Sequence, residues 1–151
     1  VSVVLDRRPD ELDGAAARQY RIISAMDLAV GVGPEAFHPG PVVIDALVGY
    51  GLEGPLRGTA AALVDELDAA AVEVVSLDVP SGLDATTGEA AGPVVRPDAV
   101  VTLALPKTGL RSVDGRMFLA DIGLPSVVFE RAGIEYEPPF RGEYVVEIEP
   151  A

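Results

Sequence analysis

Two apolar runs each end on an aspartate and open into a glycine-rich turn, and this pair constrains the fold more than any other feature. The first, VVIDALVGYGLEGPLRG, runs from Val42 to Gly58; the second, VVSLDVPSGLDATTGE, runs from Val74 to Glu89. Asp45 and Asp78 stand 33 residues apart, about the length of one βαβ unit. Parallel strands joined in this way present their C-terminal ends on one sheet edge, where open α/β sheets bind ligands. Two carboxylates and two glycine loops are therefore expected at a single rim.

The remaining pattern repeats the same alternation. Val1 to Leu5, Leu28 to Val32, Val42 to Leu47, Val72 to Leu77, Ala99 to Leu105 and Met117 to Ala120 read as strands by their β-branched content. Tyr144 to Ile148 reads as a terminal edge strand between Gly142 and Pro150. Helices are expected over Pro9 to Ala25, Leu56 to Ala71 and Ser126 to Ala132. In the second, Ala60, Leu63, Val64 and Leu67 form an apolar stripe. Alternating strands and helices imply a three-layer, Rossmann-like α/β fold, doubly wound around a mostly parallel sheet. At 151 residues one domain accounts for the whole chain.

Charge and composition narrow the function classes. A net charge of −13 repels phosphate backbones, so nucleic acid is not an expected partner. No apolar run approaches the roughly 18 residues of a membrane span, and no signal-peptide pattern is present. Without cysteine there is neither a disulfide framework nor a thiolate metal site, which fits a cytoplasmic setting. Ten arginines accompany one lysine, Lys107; a high-salt cytoplasm and a GC-rich genome would each favour that bias. The chain opens on Val1 directly in a strand-like run, and a segment of a longer polypeptide is expected.

The residues that carry chemistry sit at the expected rim. Gly49, Gly51 and Gly54 let backbone amides approach a ligand, and the helix after them offers its N-terminal N–H groups to a phosphate. The stretch from Gly49 to Gly54 fits the bare G-x-G-x-x-G expression, but no acid with a clear ribose role follows about 20 residues later. A tight strand-to-helix turn is the alternative. Asp45, at a strand tip, needs a cation, an N–H group or a ligand as partner. Asp78 is expected at the same position one strand on, with Ser81 in a turn fixed by Pro80 and Gly82; local turn capping is the alternative there. Asp45 and Ser81 are oxygen ligands that suit a hard cation. Lys107 is either solvated or directed at a phosphate, a carboxylate or a proton transfer. His38 reads as an incidental loop histidine. Asp84 and Glu89 read as solvated loop residues, and Arg57 serves either the helix start or an anionic ligand.

Taken together, these motifs resemble the YjeF N-terminal domain, the NAD(P)H-hydrate epimerase family. That family shows a D-A-[LIF]-F-G-x-G-L-x-G-P-like loop, then D-x-P-S-G-x-D-x-x-x-G, then a strand ending in P-K. Here the three are Asp45 to Pro55, Asp78 to Gly88, and Pro106 with Lys107. Gly92-Pro93, Asp98 and Ala120 to Pro125 resemble later elements of the family. The likeness covers most of Val42 to Pro125, and it is specific as a set.

The resemblance implies an enzyme that interconverts the R and S forms of hydrated NADH or NADPH, with K+ beside the substrate. It implies metal ligands at Asp45 and Ser81. It implies substrate contacts from Gly49, Tyr50, Gly51, Leu52, Glu53, Gly54, Pro55 and Asp78. Asp45, Asp78 and Lys107 are the candidate catalytic residues, without a choice among them for the proton. A fused or separate NAD(P)H-hydrate dehydratase is the implied partner. Domains of mRNA-decapping scaffolds are similar in fold and serve dimerisation and ligand or partner binding, so a non-catalytic module and a homodimer stay open. Two departures stand out. VSVVLDRR and the helix after it resemble the family's second βα unit, and the family's G-P-G-N-N-G-G-D-G-like loop has no counterpart. The domain is therefore expected to be incomplete at its N-terminal end. Tyr50 also stands where the family has a small residue.

Overall fold

The computed structural model describes residues 1–149. Strands β3 (Val42–Asp45), β4 (Glu73–Leu77), β5 (Ala99–Leu103), β6 (Arg116–Ala120) and β7 (Val145–Ile148) form one sheet in that order. Its first four strands are parallel, and β7 closes it antiparallel to β6. The chain begins with a parallel pair, β1 (Ser2–Leu5) and β2 (Ala29–Val32), joined through helix α1 (Gly14–Ile23). The expected alternation is thus present, but hydrogen bonding divides it into a two-stranded and a five-stranded sheet. Among the described residues no strand pairs with the outer edge of β3, where Val42 and Ile44 are exposed.

The first helix is shorter than the pattern predicts. Pro9–Glu11 forms a separate 3-10 turn, stabilised by Glu11 accepting the Arg8 N–H at 2.9 Å. Asp13 is extended and Gly14 has φ of 49°, so the backbone cannot run as one helix from Pro9. The helix stops where the Ser24 hydroxyl bonds back to Tyr20 O at 2.7 Å. No residue of α1 is buried. Helix α2 (Gly58–Ala69), by contrast, buries all four residues of its predicted stripe. Three of them, Ala60, Val64 and Leu67, join Leu56, Val74 and Val95 in one core cluster. A second cluster packs Val79, Leu83, Val100, Leu110 and Met117 beneath the loops after β4 and β5. Each fully buried Val or Leu contributes about 1.5–3 kcal/mol, so both strand-end loops rest on a firm floor. Helix α3 (Ser126–Arg131) buries only Phe129. No helix among the described residues is long and apolar enough to cross a membrane.

Candidate functional site

The loops after β3, β4 and β5 meet at one sheet edge, as parallel pairing requires. Their two carboxylates nevertheless occupy different environments. The β3–β4 register pairs Asp45 with Ser76, so Asp78 lies beyond the end of β4 and is not the positional equivalent of Asp45. That corrects the expectation of matching strand-tip positions.

Asp45 is 2% exposed and saturated by hydrogen bonds. Its Oδ2 accepts the Ser76 hydroxyl at 2.7 Å and the Ser81 N–H at 2.9 Å. Its Oδ1 accepts the Ser81 hydroxyl at 2.6 Å and faces the Leu47 N–H at 3.4 Å. Ser81 Oγ in turn accepts the Val48 N–H at 2.9 Å, and Val48 O lies 3.2 Å from it. This network ties the first loop to the second. It also gathers carboxylate, hydroxyl and carbonyl oxygens around one point. No group of three or more His, Cys, Asp or Glu side chains suited to a metal occurs among the described residues. A donor set of mixed oxygens with one carboxylate fits a hard, monovalent cation by its chemistry.

Asp78 is held quite differently. It sits at φ of 71°, and the Val79 N–H bonds to Leu77 O at 3.0 Å. This is a γ-turn of the rare positive-φ kind, a strained conformation. One strand on, Ala104 repeats it, with φ of 64° and the Leu105 N–H bonded to Leu103 O at 2.7 Å. Lys107 spans both turns. Its ammonium pairs with the Asp78 carboxylate and donates to Leu103 O at 2.9 Å. Asp78 Oδ1 also accepts the Leu103 N–H at 3.1 Å. The two side chains remain 22% and 16% exposed, open enough to meet a ligand.

Lys107 and Tyr50 both border a cavity of about 530 Å³ beside this pair. The structure thus brings Tyr50 and Lys107 to one cavity and Asp78 to Lys107, while Asp45 and Ser81 form a separate buried network. In the Gly49 to Pro55 loop, Leu52 packs on the α2 cluster and Glu53 is exposed. A Cβ at Gly49, Gly51 or Gly54 would meet nothing within 4 Å. No packing demand accounts for those glycines, although Gly54, at φ of 76°, adopts a backbone conformation that favours glycine. Across the site packing is tight: a Cβ at Gly82 would run into Pro93 O, and one at Gly109 into Asp84 O. Asp84 is an organised loop residue, since its Oδ1 accepts the Thr86 and Thr87 N–H groups at 2.8 Å each. Those bonds, Thr87's foremost, hold its carboxyl below the usual range. Ser76 is the polar partner that the motifs did not reveal. A serine inside an otherwise apolar strand, one strand over from Asp45, was its only signal. His38 is exposed.

A family described as YjeF-related protein N-terminus matches residues 1–109. The chain belongs to that family. An NAD(P)H-hydrate epimerase of Dehalogenimonas lykanthroporepellens is 39% identical over 153 residues, spanning 97% of this chain and 62% of the relative. Another so named, from Truepera radiovictrix, is 45% identical over 94 residues, 61% of this chain and 43% of the relative. A bifunctional NAD(P)H-hydrate repair enzyme Nnr of Moorella thermoacetica is 35% identical over 83% of this chain and 26% of its own length. The chain thus spans less than two thirds of these curated relatives. The crystal structure of yeast ynu0, YNL200c, matches with a TM-score of 0.79 at 20% identity, over 97% of this chain and 65% of that one. It confirms the α/β architecture.

Proposed function

We propose that this domain takes part in interconverting the R and S epimers of hydrated NADH or NADPH. The observation that carries the reading is the Asp78–Lys107 pair, held by two strained turns, with Lys107 on the wall of an open cavity. The names of the relatives support the same chemistry. Epimerisation at C6 of the hydrated ring needs one proton delivered and one removed, with no change of oxidation state. The Lys107 ammonium donates a proton to the C6 hydroxyl as the C6–O bond breaks, and water departs. The electron pair of the ring nitrogen forms the conjugated iminium. Water then adds to the opposite face, and its proton returns to the amine of Lys107. The Asp78 carboxylate orients the ammonium and stabilises the cationic ring. Asp45, buried and saturated, is better suited to organising the loops than to moving that proton.

Asp45, Ser81 and the Val48 carbonyl would hold K+, with Asp45 Oδ1 giving up its longest contact, the Leu47 N–H at 3.4 Å. A bound K+ would supply a fixed positive charge where the two loops are tied together, able to attract substrate oxygen. The amides of Gly49 to Gly54 and the start of α2 would seat anionic parts of the substrate. Relatives that are bifunctional repair enzymes support a fused or separate dehydratase as the partner that consumes one epimer. Chromatographic separation of the two epimers, incubated with the full-length protein and K+, tests the reading. Accelerated equilibration is expected; equilibration at the uncatalysed rate would reject it.

A further inference from the structure

Four of the large apolar side chains exposed to solvent gather at one place. Tyr50, Leu124, Val128 and Ile134 are 67%, 41%, 44% and 40% exposed, and all four line the cavity beside Lys107. Such concentration marks a binding surface. The cavity's size and its apolar lining with few polar groups are those of a small-molecule pocket. Its polar groups are the Lys107 ammonium and the Thr86 and Thr108 residues. Thr108 Oγ1 is already committed, donating to Thr86 O at 2.8 Å. The floor is the second strained turn, at Ala104. Tyr50 of the first glycine loop lines it, and so do residues of α3 and the turn after it. Helix α3 and that turn lie outside residues 1–109, the stretch that matches the family.

We infer that α3 and Tyr50 form a clamp for the substrate's planar nicotinamide ring, which makes Val128 and Ala132 determinants of ring binding. The inference rests on the proposed epimerase reading for the identity of the ring. The chemistry favours this occupant: flat, largely apolar faces suit Tyr50 and Val128, while the reacting edge meets Lys107. A ring seated there is also partly shielded from bulk water, which strengthens the interaction of Asp78 with a cationic intermediate.

The test uses full-length protein carrying Val128→Phe or Ala132→Leu, which narrow the cavity from exposed helix positions. Val127→Phe, on the same helix but not lining the cavity, is the control. Two readouts are taken: KM and kcat for hydrated NADH, and binding of NADH followed by its own fluorescence. Both cavity variants are expected to raise KM about tenfold and to weaken NADH binding in parallel, with the control within twofold of the parent. Wild-type kinetics and binding in both cavity variants would overturn the clamp while leaving the epimerase reading intact. NADH binding that only the cavity variants weaken, in a protein without epimerase activity, would keep the clamp and overturn that reading. Absence of both activity and binding in the parent would overturn both.

Discussion

The two aspartates show how one motif can give rise to two physical roles. Asp45 is buried, relaxed and fully hydrogen-bonded, and its donors come from β4 and from both loops. Asp78 is partly exposed, sits in a strained turn, and is paired with the Lys107 ammonium. The first arrangement organises a site; the second keeps a charge available to one. Depth in the sheet makes the difference, because Asp45 ends its strand whereas Asp78 overhangs its own.

The sharpest way to break this contrast is Asp45→Ala. It strips partners from the buried Ser76 hydroxyl and from the Ser81 hydroxyl and N–H. Hydrogen bonds to a charged group, left unmade in the interior, cost enough together to predict a loss of about 3–5 kcal/mol. A urea titration followed by circular dichroism measures it. A loss under about 1 kcal/mol would mean that Asp45 is no more structural than Asp78.

Asp78→Asn and Lys107→Met are expected to behave in the opposite way. Asp78 and Lys107 are less buried than Asp45, at 22% and 16% exposed, so each variant should cost less than Asp45→Ala, about 1–2 kcal/mol. Epimerisation should fall about 100-fold or more in each, as expected on losing a proton-transfer group or its partner. Rates for full-length variants, set beside their urea midpoints, give the comparison. Destabilisation matching that of Asp45→Ala would erase the distinction between the two carboxylates.

Much of this arrangement is legible in the residues themselves. Strand-end aspartates followed by glycines announce the rim, and the apolar stripe of α2 is found buried as its spacing predicts. Spacing along the chain places Asp45 and Asp78 on the same edge but does not reveal their depth, which depends on the register with the neighbouring strand. The cavity wall at Leu124, Val128 and Ile134 was equally hidden. Those residues show no amphipathic period, and their role comes from long-range packing against the loop after β5. The break near Asp13 and Gly14 was masked by apolar residues at helical spacing on both sides.

The smallest expected effect concerns the loop that carries Thr86 to the cavity. Asp84 anchors that loop by accepting the Thr87 and Thr86 N–H groups, and those bonds hold its carboxyl below the usual carboxylate range. A group with a depressed folded-state pKa stabilises the fold above its unfolded pKa of about 4. That contribution disappears as pH falls through the lower folded value. Asp84→Asn should therefore flatten the acid limb of stability against pH and leave stability near neutrality little changed, because the amide oxygen still accepts both N–H groups. Urea midpoints taken from neutral pH down through the carboxylate range measure the slope. An unchanged acid limb would assign the pH response to other carboxylates, such as Glu147 beside Arg116.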